Sequence, residues 1–164
     1  MKKDHEIIDN FLSKEDHEFL VNTILKTPEF PFYLKHGVSY LNESNDGCYF
    51  THMFYNREKG ESYSFWMLKP ILDIVKPFGI MRSQVNLYPK TFFRRRHDMH
   101  IDNEIKHKGV LYYLNTNNGF TILHDGTKVK SVANRALLFD PSLPHCSTTC
   151  TNALYRSNII VNYI

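Results

Sequence analysis

The stretch KGVLYYLNTNNGFTIL, from Lys108 to Leu123, contains two apolar runs separated by the polar sequence Asn115 to Gly119. Both runs are short and rich in branched and aromatic side chains, a composition typical of β-strands. Asn and Gly are common where the chain turns sharply, because both tolerate conformations that other residues avoid. The stretch therefore predicts two strands, Lys108 to Leu114 and Phe120 to Leu123, that are joined by a turn.

The same alternation of short apolar runs and turn signals continues on both sides of this stretch. Turn residues occur at Asp125-Gly126 and from Asp140 to Pro144. Further strands are predicted at Ile80 to Tyr88, Ala136 to Phe139, His145 to Thr149 and Tyr155 to Tyr163. This number of short strands fits a two-sheet jelly roll.

The N-terminal part of the chain has a different pattern. Ser13 begins an amphipathic helix, and a second helix is expected from about Ser62 to Val75, where Pro70 should kink or interrupt it. Between them, Thr27 to Gly60 is predicted to be irregular, apart from a strand at Cys48 to Tyr55. Residues 1–164 are thus interpreted as one mainly β domain with N-terminal helices (α+β). In it, 1–78 forms a helical support region that covers an outer sheet face.

Composition limits the classes of function. A formal net charge of +3 gives no field strong enough to indicate nucleic acid or an anionic membrane as a partner. The sequence has no apolar run of about 18 residues and no apolar signal core at its start, so we expect no membrane association and a cytoplasmic location. The odd number of cysteines, three, argues against a disulfide framework. Cys146 and Cys150 are expected to be small buried thiols rather than metal ligands.

His100-Ile-Asp102 is the local pattern with the clearest chemistry. Residues two apart on an extended segment face the same side, so an imidazole and a carboxylate can reach one ion. His145, which follows the Asp140 to Pro144 turn, is the expected third ligand. Two His and one carboxylate leave coordination positions open, as in non-haem Fe(II) oxygenases. The competing histidines His97 and His124 are expected at the surface or in support of the site.

Six features in order, spread over Val85 to Asn162, carry a family resemblance. They are Tyr88-Pro89, His100-Ile-Asp102, Tyr112-Tyr-Leu-Asn115, Asn118-Gly119, His145 and Arg156. In this order they resemble the 2-oxoglutarate and Fe(II)-dependent dioxygenases, particularly the prolyl-4-hydroxylase-like branch. Two positions depart from that pattern: Asn118 stands where relatives usually have Gly, and Asn158 stands where one branch has Ser.

The resemblance implies a double-stranded β-helix, a variant of the jelly roll, over residues 79–164. It implies that His100, Asp102 and His145 bind Fe(II) and that Arg156 pairs with 2-oxoglutarate, with Tyr88 and Tyr113 beside it. Ascorbate is a further candidate, as reductant. An Arg in the apolar strand that contains Ile159 to Val161 is costly unless an anion meets it, which supports the same assignment.

The expected reaction is hydroxylation of an unactivated C–H bond, with release of succinate and carbon dioxide. Relatives that halogenate replace the carboxylate found here as Asp102, so its presence favours hydroxylation. The substrate is expected to be a peptidyl, prolyl-type residue or a small molecule. Arg94 to Arg96 would attract an acidic peptide, a phosphate or a nucleic acid, or would form a solvated loop. A cupin-like metal protein or a ligand-binding jelly roll remains the alternative, and neither gives a reason for Arg156.

Overall fold

The computed structural model describes residues 4–37 and 47–164. These residues form two antiparallel sheets and short helical segments, which confirms the mainly β, α+β jelly-roll prediction. The strands are β1 (Glu6–Asp9), β2 (Tyr33–His36), β3 (Cys48–Asn56), β4 (Gly60–Glu61), β5 (Ile80–Pro89), β6 (Lys108–Tyr113), β7 (Phe120–Leu123), β8 (Lys128–Lys130), β9 (Arg135–Phe139), β10 (His145–Ser147) and β11 (Tyr155–Tyr163).

The larger sheet has the strand order β1-β9-β6-β11-β5-β3-β2, with β4 paired to β3, and the smaller sheet has the order β10-β7-β8. Side chains of β11 alternate between the two faces of the larger sheet, as the pleat requires. Ile159 and Val161 pack towards the helices, whereas Ile160 packs into the space between the sheets. Arg156 and Asn158 line a cavity in that same space, so the position of the functional side chains follows from strand period.

Helical segments cover the outer face of the larger sheet. The first consists of α1 (Lys14–Val21) and a π-helical turn (Asn22–Lys26), and Ser13 caps it by accepting a hydrogen bond from the Asp16 amide. The second consists of a 3₁₀ turn (Phe65–Leu68) and α2 (Lys69–Val75).

Buried helical residues such as Leu20 and Ile71 pack in one core with Val110 and Ile159 of the sheet. Pro70 lies in the first turn of α2, where a missing amide hydrogen costs little. The helix therefore begins next to Pro70 instead of continuing through it, which confirms the predicted interruption.

The prediction for the N-terminal half was wrong in two respects. The segment from Thr27 to Gly60 contains β2, β3 and the start of β4, so it is more regular than expected. The region 1–78 is also not only a helical support, because β1 to β4 belong to the larger sheet. β1 and the three-residue β8 were not predicted, since each is too short to show a clear period. Residues 38–46, which belong to the stretch predicted to be irregular, lie outside the described residues.

No helix in residues 4–37 and 47–164 is both long and apolar enough to span a bilayer.

Candidate active site

The predicted metal-binding residues lie on two segments that are held together by backbone hydrogen bonds. His100 and Asp102 follow β5, and His145 is the first residue of β10. The amides of His100 and His145 each donate to the other residue's carbonyl at 2.9 Å. The Asp102 amide donates to the Pro141 carbonyl at 2.9 Å, and this bond holds the backbone of Asp102 against the turn before β10. The backbone therefore brings the two segments into register before any ion binds.

The donor atoms of the three side chains lie within 4.8 Å of one another. Nε2 of His100 and Nε2 of His145 are each 3.9 Å from Oδ1 of Asp102. Nδ1 of His100 is 3.1 Å from the Asp98 carbonyl, and Nδ1 of His145 is 3.0 Å from the Leu143 carbonyl. A carbonyl oxygen can only accept a hydrogen bond, so Nδ1 of each ring carries the proton. Nε2 of each ring then directs its lone pair into the space between the three side chains.

Two residues hold the Asp102 carboxylate in place. Asn162 donates to Oδ2 at 2.8 Å, and the Arg82 guanidinium lies 3.0 Å from Oδ1. Burial raises the pKa of Asp102, but Arg82, His145, the Asn162 hydrogen bond and His100 together hold this pKa below its usual value. Burial lowers the pKa of His145, and the Asp102 carboxylate only partly opposes this effect. The carboxylate is therefore ionised and this imidazole neutral near pH 7, the forms that bind a metal ion.

Arg156 lies in the same cavity as the three predicted ligands and is fully buried. Its Nε donates to Ser131 Oγ and its Nη2 to Thr121 Oγ1, both at 2.8 Å. Nη1 is buried without a hydrogen-bond partner, and Arg156 forms no salt bridge within the described part of the chain. A buried guanidinium with an unsatisfied N–H is costly unless an anion completes it. The cavity thus contains a buried cation with one nitrogen, Nη1, that has no hydrogen-bond partner in the protein.

Tyr88 and Tyr113 flank this guanidinium. Both rings have their centroid 5.6 Å from Cζ of Arg156. Burial raises the pKa of both phenols, so both stay neutral. The Tyr113 hydroxyl donates to Thr121 Oγ1 at 2.8 Å, which makes Tyr113 part of the wall that positions Arg156.

The turn before β7 has a glycine, Gly119, at a position where there is no room for a side chain. A Cβ atom on Gly119 would lie 2.7 Å from Cδ of Arg156 and 2.9 Å from Oδ1 of Asn117. Asn118, where the family pattern has Gly, instead points to the neighbouring loop, where its side chain bonds Thr151 through both its amide nitrogen and its oxygen. The departure at Asn118 therefore leaves the contact with Arg156 intact.

The competing residues are not in the His100-Asp102-His145 cluster. His97 is buried, bonds Ser147 Oγ through Nδ1 at 2.7 Å, and has its ring 5.3 Å from that of Tyr88. It therefore supports a wall of the cavity. His124 is exposed on a separate groove. Cys146 and Cys150 are buried free thiols, as expected.

Several residues of the site were not predicted from the sequence. They are Arg82 and Asn162, which hold Asp102, and Thr121 and Ser131, which hold Arg156. For Arg82 a signal was available: Arg82, Gln84, Asn86 and Tyr88 alternate along β5 and all line the cavity. Thr121 and Ser131 gave no comparable signal, because Ser and Thr are common in strands and turns for purely structural reasons.

No family model matches the chain, and no curated protein sequence matches it either. Solved structures do. A prolyl hydroxylase from Trichoplax adhaerens, solved with a peptide fragment of the hypoxia-inducible factor oxygen degradation domain, has a TM-score of 0.70 at 18% identity, covering 99% of this chain and 84% of that one.

Two further structures are similar over nearly the whole chain. The viral collagen prolyl hydroxylase of Paramecium bursaria Chlorella virus-1, solved as a 2-oxoglutarate complex, has a TM-score of 0.61 at 15% identity, covering 98% of this chain and 96% of that one. SnoN, a non-haem α-ketoglutarate-dependent epimerase from nogalamycin biosynthesis, has a TM-score of 0.67 at 10% identity, covering 99% of this chain and 79% of that one. At such identities the likeness establishes a shared fold, which is the predicted double-stranded β-helix.

Proposed function

We propose that this protein is an Fe(II) and 2-oxoglutarate-dependent dioxygenase that hydroxylates an unactivated C–H bond. The observation that carries the proposal is the pairing, in one cavity, of the His100-Asp102-His145 cluster with a buried Arg156 whose Nη1 has no partner. The cluster alone fits any jelly-roll metal protein. The additional guanidinium requires an anion, and 2-oxoglutarate carries a second carboxylate beyond the part that would reach the metal.

The residues present fit Fe(II). Two imidazoles and one carboxylate on one side of an ion leave the other positions for a chelating co-substrate and oxygen, whereas a structural zinc site is usually closed by four protein ligands. When bound, the iron and 2-oxoglutarate would supply the oxidising power for hydroxylation, with release of succinate and carbon dioxide.

The protein's own contribution is orientation and charge. Asp98 and Leu143 keep each Nε2 lone pair directed inward, while Arg82 and Asn162 keep Asp102 ionised and fixed. Tyr88 and Tyr113 exclude water around Arg156, which strengthens a guanidinium–carboxylate pair. Preorganised ligands and a dry co-substrate pocket are what this chemistry requires from a protein.

For the substrate we propose a peptidyl residue, with proline as the first choice. Two of the similar structures are prolyl hydroxylases, and one of them was solved with a peptide fragment. Their similarity to this chain guides the choice of substrates to test, and a small molecule is the next class to screen.

The test is a 2-oxoglutarate titration of the Fe(II)-loaded protein without oxygen, with absorbance reporting chelation. Loss of one partner of a buried pair costs roughly 3 to 5 kcal/mol, or about two to four decades of affinity, so Arg156→Leu should bind 2-oxoglutarate that much more weakly. Arg156→Lys should lose less, because it keeps the charge but not the planar fork. Succinate release with Fe(II), ascorbate and 2-oxoglutarate then measures turnover.

Arg135→Leu is the matched control. Arg135 pairs with Asp9 at 2.6 and 2.9 Å and is not among the residues that line the cavity, so its removal should leave 2-oxoglutarate binding unchanged. If Arg156→Leu binds 2-oxoglutarate as tightly as the wild type while Fe(II) binding persists, the proposed pocket is wrong. A cupin-like or ligand-binding function would then be the better interpretation.

A further inference from the structure

The arginine run from Arg94 to Arg96 is fixed against the smaller sheet. The amide of Thr149 donates to the Arg95 carbonyl, and the amide of His97 donates to the Ser147 carbonyl, both at 2.9 Å. Arg96 forms an antiparallel bridge with Thr148. The run is thus extended beside β10, and because side chains of extended chain alternate, Arg94 and Arg96 face the same side.

That side carries an open groove of about 390 Å³ on the solvent face of the smaller sheet. Phe120 and Ile122 are among its apolar lining residues. Arg94, Arg96 and Lys128 supply positive charge, and the groove has no carboxylate among its lining residues. Asp125 is adjacent in sequence to the lining residue Gly126, but its carboxylate already accepts hydrogen bonds from the amide and the hydroxyl of Thr127.

One end of the groove lies next to the candidate metal centre. Met99, a lining residue, directly precedes His100. Leu123, another lining residue, pairs in register with His145. A chain bound along the groove would therefore pass beside the segments that carry two of the three predicted ligands.

We propose that this groove binds an extended acidic segment of a peptide substrate next to the residue that is oxidised. The inference rests on the proposed function, and it adds the class of substrate. Arg94 and Arg96 are two residues apart on extended chain, which is the spacing of same-face side chains in a bound extended peptide. Acidic side chains at alternate positions would therefore meet both guanidinium groups.

The lining favours a peptide over single-stranded nucleic acid. Base stacking uses exposed aromatic faces, and the lining offers only the His124 ring for it, because the Arg94 guanidinium lies 4.9 Å from the centroid of the Phe120 ring and covers it. The remaining apolar lining is aliphatic, from Met99, Ile122 and Leu123, and suits aliphatic side chains.

The test uses three fluorescein-labelled peptides of equal length with a central proline, which carry Asp, Asn or Lys at alternate positions on either side of it. A fluorescein-labelled oligothymidylate is the fourth probe. Fluorescence anisotropy measures their Kd for the full-length protein at low and high salt. Three exposed ion pairs of ordinary strength amount to about tenfold in affinity, so the Asp peptide should bind about tenfold more tightly than the Asn peptide at low salt. This advantage should shrink as salt screens the charges.

The groove variant is R94Q/R96Q/K128Q, and K26Q/R57Q/K59Q is the control that removes the same number of exposed charges elsewhere. The groove variant should lose the preference for Asp, and the control should keep it. Since Arg96 also contacts Cys146 Sγ at 3.4 Å, the single exposed change Lys128→Glu is a second test that leaves this contact intact. It should weaken binding of the Asp peptide and strengthen binding of the Lys peptide.

Equal loss in the groove and control variants, or no loss in the groove variants, would overturn the proposal. Tighter binding of the oligothymidylate, lost in the groove variant, would overturn it in favour of nucleic acid. Peptide-independent succinate release should be the same in the groove variant and the wild type. An absence of succinate release and of 2-oxoglutarate binding, with Asp-peptide binding retained, would count against the proposed function and not against the groove.

Discussion

At the scale of single residues, the proposed co-substrate pocket depends on a position that has no side chain. Gly119 allows Arg156 to lie against the turn before β7, since a Cβ atom there would be 2.7 Å from Cδ of Arg156. Gly119→Ala should displace the guanidinium from Thr121 and Ser131, and weaken 2-oxoglutarate binding by about tenfold, the value of one charge-assisted hydrogen bond. The anaerobic absorbance titration measures this change.

Gly79→Ala is the control for that substitution. A Cβ atom on Gly79 would have nothing within 4 Å, so 2-oxoglutarate affinity should not change. Metal affinity should be unaltered in both variants, because neither glycine contacts the His100-Asp102-His145 cluster. Unchanged 2-oxoglutarate affinity in Gly119→Ala would show that Arg156 is not the anion-binding residue or that its position is unimportant.

At the scale of elements, strands long enough to show alternating apolar and polar residues were predictable from the sequence. Strands too short to show this alternation were not. β5, β6, β7, β9 and β11 lie close to their predicted bounds. β1 is stabilised by pairing with β9, which is far away in the sequence. β8 is stabilised by pairing with β7 across a tight turn.

The same distinction applies to the site. That His100 and Asp102 lie close together was predictable, because residues two apart on an extended segment form a local pattern. Asn162 reaches Asp102 only because β11 pairs with β6 and β5, and this partnership depends on the folded sheet. Residues whose role depends on sheet register therefore could not be assigned from the sequence.

The contact between β3 and the 3₁₀ turn Phe65–Leu68 predicts a pH dependence of stability. His52 of β3 bonds Ser64 Oγ at 2.6 Å and the Pro31 carbonyl at 3.1 Å. Burial lowers the pKa of His52 below its ordinary value of 6.5, although the Pro31 hydrogen bond opposes this. The unfolded chain therefore binds the proton more readily, and stability present above the unfolded pKa is lost as pH falls below it.

Urea unfolding should accordingly give a lower midpoint at roughly pH 5 than at roughly pH 7, with part of the difference due to His52. His52→Asn keeps a polar side chain that does not titrate in this range, so its midpoint should depend less on pH than that of the wild type. An identical pH dependence in the two proteins would exclude a contribution from His52. His17, whose pKa is also lowered by burial, contributes to the pH dependence in the same direction.

At the scale of the whole molecule, the candidate metal centre links distant parts of the fold. Asp102 is held by Arg82 of β5 and Asn162 of β11, while His145 begins a strand of the smaller sheet. An ion bound by His100, Asp102 and His145 therefore connects the two sheets and binds only the folded protein. Ligands that bind only the native state stabilise it, by about 2.7 kcal/mol at a concentration one hundred times Kd.

For a domain of this size, that stabilisation corresponds to a rise in Tm of roughly 5 to 10 °C. Mn(II), which has the same charge and similar ligand preferences as Fe(II) but resists oxidation in air, is the ion to use in differential scanning calorimetry. His145→Ala should fold without the ion and show no such rise, because two ligands remain where three are needed. His124→Ala is the matched control: it removes an exposed histidine outside the cluster, so the full rise should remain. An equal rise in His145→Ala and the wild type would place the ion elsewhere and remove the basis for an oxygenase at this site.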